Sequence, residues 1–552
     1  MIIRQRKGRL FSWSYREGRR GAGRGIGYDS GMPRYAAIDI GSNSVRALVA
    51  EVVPGKTRAL WSDRQVTRLG ESVFREGRIS NQAMDAVCSL LSRMAGVIGK
   101  HDVDGMRAVA TSAVRDAGNQ ARFLERAAAA IGAPVDVISG LEEARLIHLG
   151  VMARGPHTDG RALVIDVGGG SAEIILSEHG ARKEAFSKPL GAVRLTEIFL
   201  KHDPAEAIEL QRMEQYIAEK LEPCVARIGT RPFDRVIGTS ASAAALLCAI
   251  HRIPNSNREE AERRKATARQ ARRLYKEIRR KTVAERRKMP GVGPRRAEIL
   301  TPGVAVFLQA MDAFQVKTLH YAAAGVRDGI IADLASRRVG RERSLLDRDQ
   351  RRVVEQMARK YGVAVSHARQ VAALAHSLFE ALYPLHKLPP ESGRLLQAAA
   401  HLHDTGHFIS DSAHHKHSAY IVANAGMPGF TDTERHMIAM LCRFHRKSMP
   451  GARHEGYQLM TPEERRRLLL LLPLLRLADS LDRSHEQNIE QVACRERGGA
   501  VVLEVRSRSE ADLDLWAAER VADVFREIYG RSLQLVNMRS REWSCGGSSD
   551  YE

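Results

Sequence analysis

Cysteine is scarce and scattered: six residues in 552 (Cys88, Cys224, Cys248, Cys442, Cys494 and Cys545), with no C-x-x-C pair. That excludes a disulfide framework and a thiolate zinc site, and it fits a reducing cytoplasm. Long apolar runs are missing as well. The most apolar one, Leu468 to Leu472 followed by Pro473, Leu474 and Leu475, stops at Arg476, well short of the ~20 residues a membrane span needs; it predicts a buried helix. Acidic residues are in deficit, 65 against 86 basic, for a formal net charge of +21. Such a balance favours polyanionic partners (nucleic acid, acidic lipid, polyphosphate) without choosing among them, and drift towards arginine in a GC-rich genome accounts for it equally well.

With 44% hydrophobic and 27% charged residues, the bulk of the chain is ordinary globular material rather than collagen, coiled coil or disorder. Its length exceeds what one core can organise and predicts three or four domains. The segment to Arg34 differs. It carries Arg16, Arg19, Arg20 and Arg24 and lacks the apolar stretch of a secretory signal. It reads as a disordered basic tail, either touching RNA or membrane or lying upstream of a translation start at Met32.

From Tyr35 onwards, Ala36-Ala37-Ile38-Asp39-Ile40 predicts a buried strand, the next residues a tight glycine turn, and Val45 to Val53 an antiparallel return. Helices are expected over Asn81–Ile98 and 119–131, and strands over 106–110 and 135–138. The opening device recurs as Ala162 to Asp166, Gly168 to Ser171 and Ala172 to Leu176, with the two aspartates 127 positions apart. Repetition predicts duplicated α/β domains facing each other across a cleft. After a charged linker around 341–352 the pattern turns helical to about Glu490, and Ala500 to Val536 reads strand, helix, strand. The expected division is a basic tail 1–34, α/β domains 35–158 and 159–342, a helical domain 343–495 and a small α+β domain 496–552.

Glycine in each loop lets backbone N–H groups approach an anion with no Cβ in the way. Ser42, Ser44 and Ser171 add hydroxyls, and Asp39 and Asp166 at the strand ends suit a divalent cation or a positioned water. These stretches, with ATSAVRDAGN from Ala110, ISGLEEARL from Ile138, LGAVRLTE from Leu190, GTS from Gly238, RRAEIL from Arg295 and GVRDGII from Gly325, span most of 35–335. The chain thereby resembles the exopolyphosphatase and guanosine pentaphosphate phosphohydrolase family, whose duplicated, ribonuclease H-like domains are related to actin, Hsp70 and the sugar kinases.

The resemblance implies that Glu143 is the catalytic base for the attacking water. It also implies that Asp166 and Glu173 orient that water or, with Asp39, hold Mg²⁺. Substrate would be bound by Gly41, Ser42, Asn43, Ser44, Arg46, Arg115, Gly168, Gly169, Gly170, Ser171, Arg194 and Ser240, the arginines through bidentate contacts to phosphate. Where the family has glycine after the Thr-Ser of the GTS turn, this chain has Ala241 and then Ser242, which puts the part played by Ser240 and Ser242 in question. The basic stretch from Arg258 to Arg296 is expected to be mostly a solvated helix face on a thin stripe of Leu274 and Ile278; the alternative is a guide for a long polyanion.

A second constellation gathers His401, His403, Asp404, His407, His414, His415, His417, His445 and Asp479. Imidazole and carboxylate drawn from separate helices suit Zn, Mn, Fe or Mg. The pattern resembles the HD phosphohydrolase superfamily, which implies an HD-type metal site at His367, His403, Asp404 and Asp479; His414, His415, His417 and His445 would support a second metal or bind phosphate. His376 is expected to be an ordinary helix histidine.

The expected activity is hydrolysis of the terminal phosphate of inorganic polyphosphate with Mg²⁺ as cofactor, with a further divalent metal in the helical domain. Guanosine pentaphosphate is the rival substrate, and an actin-like-fold kinase or a phosphate-sensing regulator the rivals of another class. The expected setting is a cytoplasmic homodimer with no specific nucleic acid and no membrane span.

Overall fold

The computed structural model describes residues 32–53, 56–154, 160–336 and 344–537. The basic tail up to residue 31 and the boundaries expected at 158 and 342 lie outside the described residues. The chain divides into two compact units, Met1–Arg337 and Arg338–Glu552.

The first unit is built on two sheets. Strands β1 (Arg34–Ile40), β2 (Ser44–Val53), β3 (Lys56–Val66), β4 (Gly105–Ala110) and β5 (Val135–Val137) lie in the order β3-β2-β1-β4-β5. In the second sheet β6 (Arg161–Val167), β7 (Ala172–Glu178), β8 (Ala181–Lys188), β9 (Arg235–Thr239), β10 (Lys265–Thr267) and β11 (Thr318–Tyr321) take the order β10-β11-β9-β6-β7-β8. Each opens with an antiparallel meander and continues with parallel strands beside the first one. The expected duplication is therefore present in the topology, with β10 as an added edge strand.

The opening strands are apolar at nearly every position because both faces are covered. On β1, Ala36, Ile38 and Ile40 face one core, while Tyr35 and Ala37 face another with Ile147, Val164, Ile237 and Ile330. That second core sandwiches the helices Gly140–Ala153 and Val326–Ser336 between the sheets. The expected helices appear as Asn81–Ile98 and Gln120–Ile131. The basic stretch does not form one helix: it breaks into a 3-10 segment Asn255–Arg263, β10, and helices Ala268–Ile278 and Val283–Arg287. Ala271 and Tyr275 join Leu274 and Ile278 in the core, so its apolar stripe is wider than expected.

In the second unit, helices from Arg348–Lys360 to Pro462–Ser480 share one core with a sheet of β12 (Ile489–Arg497), β13 (Ala500–Ser507) and β14 (Ser532–Asn537). The leucine run is a buried helix, with Leu468, Leu471, Leu472, Leu474 and Leu475 at 0% exposure. Among the described residues no helix is long and apolar enough to cross a membrane. Strand β12 runs through position 495 and pairs with β13. The sheet thus takes in residues assigned from sequence to the helical domain; half-exposed and rich in charge, they offer no apolar alternation to read.

Candidate active site

The duplicated sheets set up two matching rows of side chains where their first strands end. Asp39 lies opposite Arg46, and Arg46 opposite Arg64. In the second sheet Asp166 lies opposite Glu173, and Glu173 opposite Ser187. Arg46 and Glu173 hold the same place seven residues beyond their aspartates. Directly opposed residues project to the same face. One wall therefore carries guanidinium where the other carries carboxylate.

Glu143 reaches the acidic wall from the Gly140–Ala153 helix, whose N-cap Ser139 accepts a hydrogen bond from Glu142 N–H at 3.2 Å. Gly140 lets that helix start flush against β8, because a Cβ there would collide with Ser187. Ser187 in turn donates to Glu173 Oε1 at 2.7 Å. Glu143 is buried, not the exposed first-turn glutamate that helix-dipole arguments alone would allow. Its Oε2 and that of Glu173 are buried without a hydrogen-bond partner among the described residues, and Arg115 Nη1 stands 3.9 Å from Glu143 Oε2.

Burial, and then the nearby Glu173 charge, hold the Glu143 carboxyl well above the usual range. Burial and Asp166 push Glu173 up to about 8; burial, moderated by Arg46, pushes Asp166 up to about 6; Asp39 is raised by burial against the pull of Arg46 and Arg327. Four crowded carboxyl groups with two unpartnered oxygens fit a hard divalent cation of the Mg²⁺ type, which takes oxygen ligands and relieves their repulsion.

The cationic wall is larger than sequence reasoning found. Burial and mutual repulsion with Arg46, Arg258, Arg296 and Arg327 hold the Arg64 guanidinium well below its ordinary range. Arg296 is depressed the same way by burial, Arg46 and Arg258. Among the described residues none of these five forms a salt bridge to a carboxylate, and Arg64 Nε is buried with no partner. Arg258 and Arg296 stand at the two ends of the basic stretch and touch Ser240 O at 3.5 Å and Ser242 Oγ at 3.4 Å. Arg327, from the first turn of the Val326–Ser336 helix, donates to Ala47 O at 3.0 Å. Clustered guanidinium groups with no salt bridge among the described residues are an arrangement that a polyphosphate-like anion completes.

Several expected ligands are committed elsewhere. Ser42 Oγ contacts Ser112 Oγ at 2.9 Å and accepts from Ala113 N–H at 3.2 Å. Arg194 is not free for phosphate: Nε donates to Gly170 O at 2.7 Å, Nη2 pairs with Asp116, and the guanidinium covers the Phe74 ring at 4.1 Å. A Cβ on Gly169 would lie 3.0 Å from Asn43 N, and one on Gly170 2.7 Å from Ser42 Oγ. These two glycines let the loops meet, which is a different reason for glycine from the approach of an anion. The left-handed backbone at the GTS turn falls on Ser240 (φ 76°) rather than Ala241; Ser240 Oγ donates to Val167 O at 2.9 Å and accepts from Ser242 N–H. Ala241 is simply buried in the Ser240–His251 helix. Gly41, Asn43, Gly168 and Ser171 lie in the loops between the strand pairs as expected, and Ser44 opens β2.

In the second unit three segments converge, bringing His367 from the Val365–Ala381 helix, His403 and Asp404 from the turn after the Glu391–Leu402 helix, and Asp479 from the Pro462–Ser480 helix. His367 Nε2 is 3.6 Å from Asp479 Oδ1 and 3.9 Å from Asp404 Oδ2; His403 Nε2 is 3.2 Å and 3.5 Å from the same atoms. The buried His367 Nε2 has no hydrogen-bond partner among the described residues. Asp482, which sequence reasoning missed, accepts from His367 Nδ1 at 2.8 Å. His376 has its titration lowered by burial, and its buried Nδ1 has no hydrogen-bond partner among the described residues, where a satisfied histidine was expected.

Residues 48–338 match the model of the Ppx/GppA phosphatase family, and residues 350–519 that of Ppx/GppA phosphatase domain III. A guanosine-5'-triphosphate,3'-diphosphate pyrophosphatase of Vibrio vulnificus is 27% identical over 90% of this chain and 96% of its own length. The crystal structure of the Aquifex aeolicus member of the family matches 56% of this chain and all of that one, with 28% identity and a TM-score of 0.50. An exopolyphosphatase from Cytophaga hutchinsonii matches 55% of this chain and 98% of its own at 25% identity, with a TM-score of 0.51.

Proposed function

Because the chain belongs to the Ppx/GppA phosphatase family, we propose that it hydrolyses the terminal phosphoanhydride of inorganic polyphosphate in the cleft of its first unit. The observation that carries the reading is the pair of opposed rows, Arg64 and Arg46 on one wall and Asp166 and Glu173 on the other. The arginine wall binds and aligns the phosphate chain. Glu143 takes the proton of the attacking water, and Arg115 beside it steadies the carboxylate once the proton has left. Asp39, Asp166 and Glu173 hold Mg²⁺, which when bound screens the phosphate charge. Asp39, Gly41, Ser44, Gly168 and Ser171 frame the phosphate loops.

Guanosine pentaphosphate is the second reading, favoured by the relatives of that name whose alignment spans nearly the whole chain. Phosphate release from long polyphosphate, short polyphosphate and guanosine pentaphosphate by one preparation separates the two. A kcat/KM at least tenfold higher on guanosine pentaphosphate would overturn the first choice of substrate, and ATP-dependent phosphorylation of an acceptor without phosphate release would overturn hydrolysis itself. His367, His403, Asp404 and Asp479 hold a divalent metal in the second unit, a role that the unpartnered His367 Nε2 supports.

Arg64→Gln and Arg296→Gln are each expected to raise KM about tenfold or more with little change in kcat, since a charge-assisted contact to phosphate contributes ~1.5–3 kcal/mol. The same variants should flatten the salt dependence of kcat/KM. Steady-state kinetics at two ionic strengths checks both; an unchanged KM would remove these residues from the binding wall.

A further inference from the structure

The third member of each row separates the two walls further. On the first sheet the row runs Asp39, Arg46, Arg64, and on the second Asp166, Glu173, Ser187. Arg64 on β3 and Ser187 on β8 therefore hold equivalent places in the duplicated meanders, the first long and charged, the second short and neutral. The Gly140–Ala153 helix explains the short one. It starts against β8, and a Cβ on Gly140 would come within 2.3 Å of both Ser187 Cβ and Ser187 Oγ. A long side chain at 187 would push away the helix that carries Glu143.

We propose that Ser187 is a positioning residue of the cleft: its hydroxyl holds Glu173 Oε1, so that Oε2 is the oxygen left for a divalent cation. That role rests on the reading of the cleft as a Mg²⁺-type hydrolytic site and adds to it the group that aims one of its carboxylates. Ser187 Oγ donates to Glu173 Oε1 at 2.7 Å, whereas Oε2 is buried with no hydrogen-bond partner among the described residues. One hydroxyl thus distinguishes the two oxygens. The last torsion of a glutamate is broad and two-fold, so the hydrogen bond fixes what the side chain by itself does not. Glu173 is at 0% exposure, and no solvent reaches it to replace a lost hydroxyl.

The same side chain bears on Glu143. Ser187 packs against Gly140 at the start of the helix, and the Glu143 N–H in its first turn donates to Ser139 O at 2.9 Å. The seat of that helix and the direction of Glu173 are set from one position, on both carboxylates whose Oε2 atoms stand without a partner among the described residues. Ser187 lies outside both glycine loops, 14 residues from Glu173, and only the pairing of β7 with β8 brings the two together.

The test compares the full-length wild type with Ser187→Ala and Ser187→Cys. Alanine removes the hydroxyl; cysteine fills nearly the same space with a far weaker donor. Both variants are expected to lower kcat for phosphate release by about 10–100-fold, the usual effect of losing a partner that orients a metal ligand, with KM within a few-fold because the arginine wall is untouched. Calorimetry with Mg²⁺ and no substrate is expected to show binding in the cleft weakened to a similar degree, while any ion held by the second unit is common to all three proteins and cancels. Wild-type kcat and Mg²⁺ affinity in Ser187→Ala would overturn the role. A Ser187→Cys protein that behaves as wild type would also do so, since filled space and not the hydroxyl would then be what counts. Absence of phosphate release by the wild type would instead sink the hydrolytic reading, and the Mg²⁺ titration would still decide for or against Ser187.

Discussion

Glu143→Gln is expected to lower kcat for phosphate release by about 10²–10⁴-fold while KM stays within a few-fold, the usual contribution of a positioned general base. Glutamine keeps the shape and the hydrogen-bonding reach of the side chain but cannot take a proton. The effect should therefore fall on the chemical step and leave the arginine wall, where substrate binds, untouched. Binding is separable from the base because Arg46 and Arg64 stand in the first sheet, while Glu143 lies beside Glu173 and Asp166 of the second. A variant that retains wild-type kcat would place the base elsewhere in the carboxylate cluster. A variant that loses binding in proportion to turnover would mean that Glu143 holds substrate or metal instead.

Asp333→Ala is expected to destabilise the first unit by ~3–5 kcal/mol, the cost of leaving buried charge without its partner. Asp333 accepts from Arg145 at 2.9 Å and from Arg107 at 3.3 Å; Arg145 also grips Glu142 at 2.8 and 2.9 Å, and Arg107 reaches Asp136 at 3.1 Å. Arg107, Glu142, Arg145 and Asp333 are all buried. Their network ties β4, β5 and the Gly140–Ala153 and Val326–Ser336 helices together, one residue away from Glu143. Urea unfolding checks the figure, with Asp85→Ala as the comparison. Asp85 pairs with Arg126 at the surface, where loss should cost less than about 1 kcal/mol. Equal midpoints for the two variants would show that the buried network contributes specificity without net stability.

Much of the cleft was legible in the chain because its signals are local. A strand, a glycine turn and a returning strand lie within some twenty residues, and their recurrence announces a duplicated fold before any contact is known. The aspartates at the strand ends and the His403-Asp404 pair were visible for the same reason, whereas Glu143 was marked out only by the family resemblance. Arg64 was not, since it stands on an irregular, half-exposed strand among other charges. Its partnership with Arg46 depends on cross-strand register. Arg258 and Arg296 were hidden inside a basic stretch that looked like one solvated helix; the breaks in that stretch, not its charge, bring the two ends to the cleft. An alignment of the two hairpins would have paired Arg46 with Glu173, which was the available signal for opposite walls.

The sequence by itself determined the strand, glycine loop and returning strand that open each α/β half, that this device repeats, and which residue types could handle phosphate and metal. These follow from periodicity, turn chemistry and spacing, all short-range properties of the chain. Tertiary structure alone decided which groups remain available. It turned Arg194 onto Gly170 and Asp116 and closed Ser42 against Ser112, while leaving Glu143 Oε2, Glu173 Oε2, Arg64 Nε and His367 Nε2 without a hydrogen-bond partner among the described residues. Availability depends on what stands within about 3 Å in space, and contacts between residues far apart in sequence set that distance.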